Sequence, residues 1–166
     1  MDTLWAPWRV EYIKGPKAAG CVFCVATGAG DDRENLIVYR GRRCFVILNR
    51  YPYNNGHLMV APYAHQPGIE DLPADTVAEL MALTQQAIGV LREAITPAGF
   101  NIGINQGAAA GAGVVDHVHL HVVPRWVGDT NFMPVIGDTR VMPESLDSSY
   151  QLLAKGFARS RALMVE

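Results

Sequence analysis

The chain has 166 residues, of which 49% are hydrophobic and 18% charged, with a formal net charge of −2. That is the size and composition of a single domain with a sizeable buried core, and it offers no basic stripe for phosphates, so no nucleic-acid partner is expected. No apolar run reaches the length of a membrane span, Met1-Asp2-Thr3-Leu4-Trp5 does not begin a signal peptide, and three cysteines are too few for a disulfide scaffold. A cytoplasmic protein with no membrane partner is the expectation.

In chain order, residues 1–35 read as an irregular extension holding Trp5, Trp8, Tyr12 and the pair Cys21-Val22-Phe23-Cys24, ended by the polar Gly/Asp stretch Gly28–Glu34. Short β runs follow at Leu36–Tyr39, Cys44–Leu48 and His57–Ala61, the last two joined by the turn formers Pro52, Asn54, Asn55 and Gly56. From about Pro73 to Ile95 the period becomes helical. Val77, Leu80, Met81, Thr84, Ala87, Ile88, Leu91 and Ile95 form the stripe, and Glu79, Gln85, Arg92 and Glu93 lie off it. Pro97 and Gly99 stop this helix. A strand at Phe100–Asn105 leads through a Gly/Ala loop to a further strand at His117–Pro124, and Glu144–Leu163 reads as a second helix. Hairpin-connected strands around one helix predict an α+β domain with an antiparallel sheet, one face apolar and the other carrying chemistry.

His117-Val118-His119-Leu120-His121 places three of the five histidines on one side of a strand, with Val118, Leu120 and Val122 turned to the core. At about 3.3 Å rise per residue, adjacent rings are expected roughly 6–7 Å apart. Such a face fits either a metal site or a nucleophilic histidine flanked by two helpers. The loop Asn105-Gln106-Gly107-Ala108-Ala109-Ala110-Gly111-Ala112-Gly113 runs into this strand, and its small residues let backbone amides approach phosphate. Asn49 stands at a strand end, where it reads equally as a ligand contact or a turn residue. The spacing Cys21–Cys24 suits zinc, a redox pair or two buried thiols, and Cys44 in its apolar strand reads as core.

His-Val-His-Leu-His-Val-Val resembles the signature of the histidine-triad (HIT) family, and Leu48-Asn49-Arg50-Tyr51-Pro52-Tyr53-Asn54-Asn55-Gly56-His57 is similar to the family's asparagine-to-Gly-His stretch. The similarity covers roughly residues 21–126. The flanks Leu4–Ile13 and Pro124–Phe132 resemble the bacterial branch that includes diadenosine tetraphosphate phosphorylases. The resemblance implies a HIT-like fold: a five-stranded antiparallel sheet with one long helix and a C-terminal helix, joined to a second sheet across a dimer, the assembly being a homodimer or a dimer of dimers. It divides the chain into an extension, 1–35, and a HIT domain, 36–166.

It also implies the chemistry. The catalytic set is His117, His119 and His121. His119 attacks the α-phosphorus of a dinucleoside polyphosphate or an adenosine phosphoramidate, and His121 contacts phosphate oxygens. The purine nucleotide substrate is bound by Asn49, Asn105, Gln106, Gly111, Ala112, Gly113 and His121, and His57 matches a fourth histidine near the pocket. Zinc-bearing relatives imply a closed structural site of Cys21, Cys24, His65 and His117. Many members carry a Ser or Thr four or three residues before the first triad histidine, where this chain has Gly113 and Val114. If inorganic phosphate rather than water completes the reaction, Arg125 is a candidate forked donor to it. Two other readings stand beside this one: a metal-dependent phosphoesterase in which all three triad histidines are ligands, and a nucleotide-binding adaptor without catalysis.

Overall fold

The computed structural model describes residues 20–28, 30–129 and 142–163. The flanks around Trp5, Trp8 and Tyr12 and at Thr130–Phe132 lie outside the described residues. Among the described residues no helix is long and apolar enough to cross a membrane.

The elements are α1 (Val22–Gly28), β1 (Ile37–Arg40), β2 (Cys44–Leu48), β3 (Leu58–Pro62), a 3-10 turn (Ile69–Asp71), α2 (Ala74–Ile95), β4 (Gly99–Ile104), a second 3-10 turn (Ala108–Ala110), β5 (Leu120–Arg125) and α3 (Leu146–Leu163). The strands form one five-stranded sheet in the order β1-β2-β3-β5-β4, and every neighbouring pair is antiparallel. This is the α+β architecture expected from the hairpin-and-helix pattern.

Register sorts the side chains onto two faces. Leu48, Leu58 and Val122 lie opposite one another across β2, β3 and β5 and are almost wholly buried. Cys44, on the same side of β2, reaches the Thr76 carbonyl with its Sγ at 3.6 Å, so this face packs against α2. The row on the other face is Ile47, Met59, His121 and Gly103.

Two details differ from the periodic pattern. Met81, on the predicted helical stripe, is 47% exposed, whereas Leu83, Gln86 and Val90 are buried. The reason is a second neighbour: α3 also packs on α2, with Gln86 donating to Ser160 Oγ at 3.2 Å and Gly156 fitting against Val90. A stripe drawn for one partner misses the residues facing the other. The segment 22–28, read as irregular, is helical. It buries Phe23 and Ala26, and packing rather than propensity holds so short a helix.

The turn into β3 depends on Gly56. Its φ is +70°, and a Cβ there would lie 2.7 Å from Ile95 Cδ1, so a side chain would be both strained and obstructed. That turn delivers His57 to the interior, where it is 0% exposed.

Candidate active site and adjoining metal-ligand cluster

β5 begins at Leu120, so His117 and His119 belong to the extended segment leading into it and only His121 lies within the strand. The alternation survives: Val118, Leu120 and Val122 enter the core. The opposite side is not open, however. His117 and His119 are 1% and 3% exposed, because Phe23 of α1 lies over both rings, with centroids at 5.0 and 4.8 Å. The rings of His119 and His121 meet edge to face at 4.9 Å, closer than strand rise alone predicts, because they tilt towards each other.

Each imidazole has its proton placed by a partner. His119 Nδ1–H donates to the His117 carbonyl at 2.8 Å, which leaves the lone pair on Nε2. No buried side-chain nitrogen or oxygen among the described residues lacks a partner, so Nε2 is the part of this ring that reaches solvent. His117 Nε2–H donates to the Pro62 carbonyl at 2.9 Å, turning its Nδ1 lone pair to Cys21 Sγ at 3.3 Å and Cys24 Sγ at 3.7 Å. The Tyr53 amide donates to His57 Nδ1 at 3.0 Å. His57 Nε2 therefore carries the proton and donates it to His121 Nδ1 at 3.0 Å, leaving His121 Nε2–H as a donor. Burial pulls His117 and His119 below the ordinary imidazole range, which keeps both neutral at pH 7.

Beside His121, Gly103 of β4 sits directly opposite, and no atom of the described residues lies within 4 Å of where its Cβ would be. Among the described residues this leaves open space next to His121, and no sequence motif marks it.

The other candidate residues fall as follows. Asn49 is half-buried at the end of β2. Its Oδ1 accepts the Tyr51 amide at 2.9 Å, and its Nδ2 lies 3.4 Å from His57 Nδ1. Asn105 is half-buried beyond β4. Gln106 accepts the Ile69 amide at 3.0 Å and donates to both Glu70 carboxylate oxygens, at 2.9 and 2.8 Å, so its amide is engaged by the turn before α2. In the Gly/Ala loop the amides of Ala110, Gly111 and Ala112 close back onto the carbonyls of Gly107 and Ala108, with Gly111 at φ +80°. Gly113 is exposed.

Arg125 departs from expectation. Its Nε and NH2 donate to the two oxygens of Asp129 at 2.6 and 2.9 Å, and its NH1 donates to Asn101 Oδ1 at 2.7 Å. Asp129 also accepts from Asn54 Nδ2 at 2.8 Å, and Arg125 holds its carboxyl well below the ordinary carboxylate range. The fork is thus closed around a carboxylate and is not presented to an incoming phosphate. A nearby carboxylate in the sequence could not have been distinguished from a solvated one.

Cys21, Cys24, His65 and His117 come together as one cluster, their ligand atoms all within 4.8 Å of one another, and could hold a metal ion. Cys24 Sγ lies 3.3 Å from His65 Nδ1. Desolvation, then Cys21, raises the Cys24 thiol above the usual range, so a cation taking the thiolate would release that proton. Among the described residues His119 and His121 belong to no such cluster, so the three triad rings do not converge on one ion.

The HIT domain model matches residues 31–127. An AP-4-A phosphorylase of Mycobacterium tuberculosis is 42% identical over 96% of this chain and 86% of its own length. The crystal structure of a Zn-bound histidine triad family protein from Mycobacterium smegmatis superposes with a TM-score of 0.67 at 31% identity, covering 87% of this chain and 97% of that one. A histidine triad nucleotide-binding protein from Sulfolobus tokodaii superposes with a TM-score of 0.63 at 28% identity, over 84% and 91% of the two chains. With a matching domain model across more than half its length and a relative of this similarity over nearly all of it, the chain belongs to the HIT domain family.

Proposed function

We propose that this protein is a HIT-family nucleotidyl transferase that cleaves dinucleoside polyphosphates, diadenosine tetraphosphate foremost, by phosphorolysis through a nucleotidyl-histidine intermediate. The observation that carries the reading is the His119 ring: neutral, fixed through Nδ1–H to the His117 carbonyl, with its Nε2 lone pair at the solvent-reaching edge beside the donor His121. The phosphorylase identity of the M. tuberculosis relative supports the choice of substrate and acceptor.

In this reading His119 Nε2 forms a bond to the α-phosphorus and the bond to the departing nucleoside triphosphate breaks. Inorganic phosphate then attacks the same phosphorus, the P–N bond breaks, and ADP leaves beside ATP. His121 Nε2–H donates to phosphate oxygens, where charge accumulates. Asn49 binds the ribose side, and Asn105, Gln106, Gly111, Ala112 and Gly113 line the phosphate path. Gln106 would have to leave Glu70 to do so. Backbone amides take the place of the hydroxyl absent at Gly113 and Val114. With Arg125 committed to Asp129, the acceptor phosphate is held by other groups.

The Cys21, Cys24, His65 and His117 set suits zinc. Zinc–sulfur and zinc–nitrogen bonds at a tetrahedral centre put sulfur and nitrogen about 3.5 Å apart, and the S···N pairs here are 3.3, 3.3 and 3.7 Å. Four protein donors leave no open position, so the ion would be structural, tying α1 to the segment before β5. The Zn-bound relative supports that choice. The exposed, uncharged β4 edge suits pairing with a second copy, giving the homodimer implied by the family and leaving open a dimer of dimers. We place this activity in the cytoplasm.

A product assay on diadenosine tetraphosphate tests the function. ADP and ATP are expected only when inorganic phosphate is present, and His119→Ala should lower turnover on the order of 10³-fold or more. AMP with ATP, at a rate indifferent to phosphate, would leave a HIT hydrolase. No turnover by the unmodified protein would leave a binding protein.

A further inference from the structure

Phe23, one of the two residues between Cys21 and Cys24, has a role that a metal site alone does not require. Phe23 is 2% exposed and extends from α1 onto the rings of His117 and His119, with interplanar angles of 48° and 43°. It is backed by Phe45 of β2, whose ring lies 6.3 Å away in an edge arrangement, and Phe45 is itself backed by Tyr63 at 5.3 Å. Phe23 thus rests on a stack anchored in the sheet.

One hydrogen bond does not orient an imidazole. The bond from Nδ1 to the His117 carbonyl fixes where that nitrogen lies, but the ring can still swing about it, and such a swing carries Nε2 sideways. Among the described residues two ring contacts oppose it: Phe23 and His121, whose centroids lie 4.8 and 4.9 Å from the His119 centroid. His121 is itself held by His57. Phe23 is held by the seating of α1, which depends on Cys21 and Cys24 lying against His117 and His65. In-line attack at phosphorus is sensitive to displacements of this kind, since misplacement by about 1 Å can cost on the order of a hundred-fold.

We infer that Phe23 is a positioning residue for His119, a wall that aims Nε2 at the reacting phosphorus and makes nucleophile alignment depend on the seating of the Cys-bearing helix. This rests on the reading of His119 as the nucleophile. Phe23 touches no substrate in this scheme, so its loss should be felt in kcat and not in KM.

The experiment compares wild type, Phe23→Leu and Phe23→Ala as full chains. It measures zinc content by elemental analysis, kcat and KM for diadenosine tetraphosphate, and the ¹⁵N imidazole resonances of His119, assigned by their loss in His119→Ala. Expected are wild-type zinc content, KM within about two-fold, and kcat lower by about ten-fold in Phe23→Leu and about a hundred-fold in Phe23→Ala, with the His119 resonances shifted or doubled. If Phe23→Ala fails to fold or to retain zinc, Phe23→Leu decides. Zinc-loaded Phe23→Leu with kcat within two-fold of wild type overturns the proposal. Should His119→Ala keep its turnover, the nucleophile reading fails separately. The resonances alone then decide, and unchanged His119 signals in Phe23→Leu overturn the positioning role.

Discussion

Cys44 and His119 show how one environment, burial, serves two ends at the level of single residues. Around His119 it favours the neutral imidazole, the form that the proposed nucleophile needs. Around Cys44, which is 0% exposed on β2, it pushes the thiol up to about 12. An unfolded chain would release that proton near pH 8.5 while the folded chain keeps it, so above that pH the unfolded state binds fewer protons and stability falls as pH rises. The contribution is whole below about pH 8.5 and declines towards pH 12. Urea midpoints measured between pH 8 and 10.5 should therefore fall more steeply for wild type than for Cys44→Ala, the difference isolating this thiol from every group the two proteins share. Equal slopes would show that Cys44 ionises in the folded state.

At the level of elements, α1 is the piece most dependent on its surroundings. It has seven residues, no acidic residue in its first turn and no basic residue in its last, so in isolation it would not persist. Protein purified without added metal should carry about one zinc per chain. Chelation should lower the melting temperature by at least about 5 °C and expose α1 first to hydrogen exchange. Metal-free protein of undiminished stability would instead favour a Cys21–Cys24 disulfide. The same dependence explains why α1 was not legible in the sequence: its reason for being helical lies in Phe23, Ala26 and the distant His65 and His117. The long helix and four of the five strands were legible to within a residue or two, because alternation and the 3.6 period are local signals, whereas β5 starts at Leu120, three residues after the predicted His117. The histidine face was legible from the spacing 117, 119, 121, and the metal cluster only with the added family resemblance. The tautomer chain from Tyr53 through His57 to His121, the space at Gly103 and the closure of Arg125 by Asp129 were not. Each joins segments that only the folded sheet brings together.

At the scale of the whole molecule, the β4 edge is where we propose that a second copy pairs. It carries no charge, and Asn101, Ile102 and Gly103 are exposed along it, features that solitary edge strands avoid. Light scattering should give a mass twice the 18.1 kDa of one chain, and Ile102→Lys should halve it; a monomeric wild type would remove the case for the joined sheet. Strand order has a consequence of another kind. The last strand made, β5, is inserted between β3 and β4, and β4 has no other neighbour in the sheet. While the ribosome is still extending the chain towards residue 120, β1 to β3 can pair, but β4 has nowhere to dock and the inner flank of β3 stays bare. The histidine-bearing segment is thus the keystone of the sheet, so a nascent chain cannot complete this domain without also assembling its proposed reactive centre.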